Sequence, residues 1–109
     1  MTLAPATRAA VEEFSRRVRA RFGDRVAKLA LFGSHARGEA TEESDVDILV
    51  VIDDLTPSDG REIDEIVGDI LTRMDVVLSP LALSAARLAE LRARERRIAR
   101  EIDRDGIPV

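Results

Sequence analysis

The sequence predicts a mixed α+β fold, a short central sheet flanked by helices, in a single domain spanning residues 1–109. Three observations carry this expectation. Val46 to Ile52 is β-branched and apolar on both faces apart from its second residue, which suits a central strand. Apolar residues at helical spacing precede it (Val11, Phe14, Val18, Phe22) and follow it (Ile63, Ile66, Val67, Ile70, Leu71). The resulting order is a helix, three strands with a helix between the second and third, and a closing helical region.

Each element has its own signals. Residues 6–22 form the first amphipathic helix, with Gly23 as its stop. Val26 to Phe32 is a short strand, and Gly33 to Gly38 is a loop, a turn or the first turn of a short helix. After the Val46–Ile52 strand, Pro57, Ser58, Asp59 and Gly60 are turn and helix-start residues, opening a second helix over about 59–73. Asp75 to Ser79 is a third strand, ended by Pro80. Ser84 caps a last helical region running to about residue 104, with a break near 93 where the stripe slips between Leu91 and Ile98. The arginines of the first and last helices read as a solvated face, with a partner surface as the sharper alternative.

Composition excludes several classes of function. The chain has 109 residues, no Cys and one histidine, His35, so disulfides, thiolate metal sites and a multi-histidine zinc site within one chain are all excluded. No apolar run approaches the roughly 20 residues that span a bilayer, and no signal-peptide pattern opens the chain, so a cytoplasmic protein without membrane contact is expected. The net charge of −4 argues against direct nucleic-acid binding. That mean hides a segregation. Residues 39–75 hold thirteen acidic and two basic groups, yet the Val46–Ile52 run interrupts them, so they are not an acidic tail.

The chemistry lies in Gly33-Ser34-His35-Ala36-Arg37-Gly38 and Ser44-Asp45-Val46-Asp47, with ten residues between Ser34 and Asp45. Strand alternation puts Asp45 and Asp47 on one face, about 6.6 Å apart along the backbone, while Val46 and Ile48 point into the core. At that range the two charges repel by about 3 kcal/mol at an effective dielectric of 20, which a divalent cation would neutralise. If the third strand lies beside the second, Asp75 joins them, and three carboxylates with phosphate oxygens suit Mg²⁺, as two ions that clamp a phosphoryl transfer. Gly33 and Gly38 allow close backbone approach. Ser34 offers a hydroxyl and an N–H to phosphate, and Arg37 a planar charged fork. His35 reads as structural or substrate-side rather than as a general base.

These residues resemble the minimal nucleotidyltransferases of the DNA polymerase β-like superfamily. The signature, Gly-Ser followed at fixed distance by Asp-x-Asp, stands here as Gly33-Ser34 and Asp45-Val46-Asp47, with Asp75 as the third carboxylate. The resemblance covers about residues 12–109 and implies the superfamily's fold. It also implies transfer of a nucleoside monophosphate from ATP or another NTP to an acceptor hydroxyl. In that reading Asp45, Asp47 and Asp75 are catalytic and metal-binding, while Gly33, Ser34, Arg37 and Gly38 hold the nucleotide phosphates.

The chain has no room for a separate acceptor-recognition domain, so the acceptor side is expected from another chain, a copy of itself or a different protein. The resemblance further implies a HEPN-domain toxin as partner, with this chain as the antitoxin that adds AMP to it. Two alternatives stay open at this point, a non-catalytic antitoxin that neutralises by binding and an enzyme acting on a small molecule.

Overall fold

The structure, a computed structural model, describes residues 3–38, 45–94 and 97–109. Ser44, part of the motif above, lies outside them. Helix α1 (Pro5–Phe22) opens with proline in its first turn, where the missing N–H costs no helical hydrogen bond. It ends at Gly23, whose positive φ lets the chain turn through a short 3₁₀ segment into strand β1 (Val26–Phe32). The five-residue helix α2 (Gly33–Arg37) follows, then β2 (Val46–Ile52), helix α3 (Pro57–Met74), β3 (Leu78–Leu83), helices α4 (Ala85–Ala93) and α5 (Arg97–Asp105), and the two-residue strand β4 (Ile107–Pro108).

The sheet order is β3-β2-β1-β4. β1 runs antiparallel to both neighbours, whereas β2 and β3 are parallel and joined by the α3 crossover, so the sheet is mixed as expected. The alternation of β2 splits the core in two. Val46, Ile48, Val50 and Ile52 pack with Ala10, Val11, Phe14, Val18 and Phe22 of α1 and Ile63, Ile66 and Ile70 of α3. On the other face Leu49 and Val51 pack with Ala30, Phe32, Leu88 of α4 and Ile102 of α5. Each large apolar side chain removed from water in this way contributes about 1.5–3 kcal/mol. Leu71 departs from the expected stripe. It is 42% exposed, because the core face of α3 is the narrower Ile63, Ile66, Ile70 line.

α3 begins two residues earlier than the sequence suggests because Thr56 is its cap. The Thr56 hydroxyl accepts from the Asp59 N–H at 3.1 Å, and the Asp59 carboxylate accepts from the Thr56 N–H at 2.9 Å. Arg25 adds a charged bond to the same carboxylate at 2.6 Å, and these donors hold the buried Asp59 carboxyl down at about 2. Of the arginines of α1, Arg16, Arg19 and Arg21 are exposed, as expected, and Arg17 is half-buried. Arg17 reaches Asp69 and Arg21 reaches Glu62 across the α1–α3 seam, and Arg73 of α3 returns to Glu13.

The third strand corrects the sequence reading. α3 continues one residue further, to Met74, and Asp75 is its C-terminal cap, in the left-handed region at φ 56°. The strand then runs from Leu78 to Leu83, through Pro80 rather than ending before it. The Val77 carbonyl accepts from the Val46 N–H, so residues 77, 79, 81 and 83 direct their backbone groups to β2. The nitrogen of Pro80 therefore faces the outer edge, where the sheet loses no hydrogen bond. The fourth strand has no counterpart in the sequence reading, while the expected break in the last helical region is present between α4 and α5.

Candidate active site

The register of β2 determines the site. Because Leu49 and Val51 face α4 and α5, alternation places Asp45 and Asp47 on that same side, beyond the edge of the helical cover. Asp45 is exposed and Asp47 half-buried. Asp47 lies opposite Phe32 of β1 and opposite Ser79 of β3, so the Ser79 side chain shares its face.

Gly33 joins the two halves of the motif. It leaves β1 at φ 73°, and a Cβ on it would stand 2.3 Å from Oδ2 of Asp47 and 3.3 Å from its Cβ. Only a residue without a side chain lets the first turn of α2 lie against this carboxylate. Ser34, His35 and Arg37 follow on α2, and Gly38 closes the helix at φ 75° with its N–H directed to the carbonyls of Ser34 and His35. Gly33, Ser34 and Arg37 thus lie on α2 with Gly38 as its cap, and Asp47 lies on the adjacent β2, which Asp45 immediately precedes.

The electrostatics are those of a crowded anionic corner. Burial pushes the Asp47 carboxyl up from its ordinary value, and the charge of Asp45 adds to the rise. His35 and Arg37 oppose it, and Glu101 of α5 raises it further. An all-oxygen pair whose charge is costly without a counter-ion fits a hard divalent cation. The sequence reading placed Asp75 with this pair at the start of a strand. In the structure it caps α3, three residues before β3, and among the described residues no three Asp, Glu or His side chains form a metal-binding group.

Two acidic residues of α5 escaped the sequence reading. Glu101 is close enough to act on Asp47, and Asp105 lies 3.9 Å from the Arg37 guanidinium. Their one signal is a spacing of four on a helix whose buried residues are Ala99 and Ile102. That spacing shows a shared face but not that the face meets α2, which requires the tertiary fold. No described helix is long and apolar enough to cross a membrane.

Comparison with known proteins identifies the family. A family model described as "Nucleotidyltransferase domain" matches residues 11–102. Among curated relatives, two named as candidate protein adenylyltransferases come from Methanocaldococcus jannaschii. One is 32% identical over 72 residues, covering 65% of this chain and 73% of the relative. The other is 50% identical over 44 residues, covering 40% of this chain and 44% of the relative, so that match spans less than half of its length. Among solved structures, a toxin-antitoxin with AMP-PNP aligns with a TM-score of 0.59 at 18% identity, over 89% of this chain and 70% of that one. A variant of the toxin-antitoxin MntA-HpeT gives 0.58 at 19% identity, over 90% of this chain and 70% of that one. At these identities the likeness concerns the fold.

Proposed function

Because this chain belongs to the nucleotidyltransferase domain family, we propose that it transfers AMP from ATP to a hydroxyl group of a partner protein, acting as the antitoxin of a toxin–antitoxin pair. The observation that carries the reading is the seating of Asp47 against Gly33, which brings the Asp45-x-Asp47 carboxylates beside the Ser34–Arg37 turn. The names of the curated relatives support a protein acceptor, and the toxin-antitoxin neighbours support a protein partner. The family resemblance points to a HEPN-type toxin as that partner.

Asp45 and Asp47 would hold Mg²⁺, which when bound supplies the positive charge that a triphosphate needs in an acidic corner. Ser34 donates to a phosphate oxygen and Arg37 grips the β- and γ-phosphates through its fork. The acceptor oxygen bonds to the α-phosphorus, the bond from that phosphorus to the bridging oxygen breaks, and pyrophosphate leaves. The hydroxyl proton passes to solvent. Positioning and charge neutralisation supply the acceleration, as is general for phosphoryl transfer.

The test is transfer of label from [α-³²P]ATP to the co-purified partner in the presence of Mg²⁺. Labelling of the partner by the wild type and its loss in the Asp45→Asn/Asp47→Asn double variant is the expected outcome. Neutralisation of the partner that survives the double variant would refute the catalytic reading.

A further inference from the structure

We propose that Asp105 is a positioning residue for Arg37, so that the end of the last helix sets how the triphosphate is held. The inference rests on the reading of Arg37 as a phosphate-holding side chain.

The two residues lie far apart in sequence, yet both hang from β1. α2 leaves directly from Phe32, the last residue of β1. α5 stops at Asp105, and the chain then enters β4, where Ile107 pairs with Leu31. The stop is enforced locally. The Gly106 N–H donates to the Ile102 carbonyl at 2.8 Å, and a Cβ on Gly106 would stand 2.4 Å from that same oxygen. Ile102 is itself buried between α5 and the sheet. Asp105 is therefore fixed by packing on one side and by the β4 pairing on the other.

From that fixed point its carboxylate faces the Arg37 guanidinium at 3.9 Å, with the two side chains only 17% and 32% exposed. Arg104 also binds Asp105, at 3.0 Å, and holds its carboxyl below the usual range with a smaller contribution from Arg37. A long arginine loses much rotamer freedom when it grips a phosphate, and a carboxylate that restrains it beforehand lowers that loss. A guanidinium carries five N–H donors, so one carboxylate and one phosphate can share it.

The opposite role, a carboxylate that occupies Arg37 in place of phosphate, makes the opposite prediction. Binding of Mg²⁺-ATP and of AMP is measured calorimetrically on the full chain for wild type, Asp105→Asn, Asp105→Glu, Arg37→Ala and the Arg37→Ala/Asp105→Asn double variant. Asp105→Asn is expected to weaken ATP by about fivefold and leave AMP unchanged. Asp105→Glu is expected to restore most of the loss, and Asp105→Asn to add nothing once Arg37 is gone. ATP binding that is unchanged or tighter in Asp105→Asn would overturn the inference, as would an equal loss for AMP or a full additional loss in the Arg37→Ala background. If the single variants Arg37→Ala and wild type bind ATP equally, the phosphate-holding reading of Arg37 fails first and the inference falls with it.

Discussion

Replacing Gly33 by alanine separates backbone strain from damage to the site, because Gly38 offers a matched control. Both glycines sit in the left-handed region, at φ 73° and φ 75°. An alanine at either position costs about 1–2 kcal/mol in backbone strain. At Gly38 a Cβ meets nothing within 4 Å among the described residues, so strain is the effect expected there. At Gly33 the new Cβ stands 2.3 Å from Oδ2, 3.2 Å from Cγ and 3.3 Å from Cβ of Asp47. Rotation of the carboxylate relieves the first contact but not the other two. Those two ask Asp47 to give by a few tenths of an ångström, and whichever way the first is relieved its Oδ2 moves by about 1 Å, a displacement that costs about 100-fold in a positioned reaction.

The assays are urea or thermal denaturation and AMP transfer with Mg²⁺-ATP. Gly38→Ala should lower the melting temperature through the strain, at about 4–8 °C per kcal/mol for a domain of this size, with a smaller loss of activity than Gly33→Ala. Gly33→Ala should lose that and a further ~1–3 kcal/mol from crowding, with activity down about 100-fold. Equal activity losses in the two variants would refute the reasoning, as would a fully active Gly33→Ala.

Three further outcomes are expected. Asp47→Asn removes a half-buried charge that the neighbouring Asp45 repels, so without metal the melting temperature should hold or rise, while Mg²⁺ with ATP should stabilise the wild type alone; equal shifts on ligand addition would count against the site. Thr56→Ala should destabilise by about 1 kcal/mol through loss of the α3 cap, read from the urea midpoint at unchanged slope. The Asp59 carboxyl is held down from 3.8 to about 2, so its stabilising bonds are fully present above pH 4 and disappear as pH falls toward 2; in a series of urea titrations Asp59→Asn should flatten that part of the acid limb.

What the sequence conveys is local, and the parts it misses depend on where the chain returns. The ten residues between Ser34 and Asp45, the alternation of β2 and the helical stripe of α1 are all properties of short windows, and each appears in the structure. Asp-Val-Val-Leu reads as a strand start at Asp75, whereas the stripe of α3 continues to Met74 and its cap falls on the aspartate. β4 has two residues, too few to carry a period. Glu101 and Asp105 became visible only once Ile102 had packed α5 against the sheet beside α2.

The proline in β3 has a consequence for how this chain meets others. β3 is an edge strand with the apolar residues Leu78, Leu81, Ala82 and Leu83, the kind of segment that templates another strand and begins aggregation. Along its free side the donors would come from Leu78, residue 80 and Ala82, and proline removes the middle one. The β3 edge therefore cannot continue a regular ladder into a neighbouring molecule. A single imino acid thus guards this edge of the sheet against strand addition.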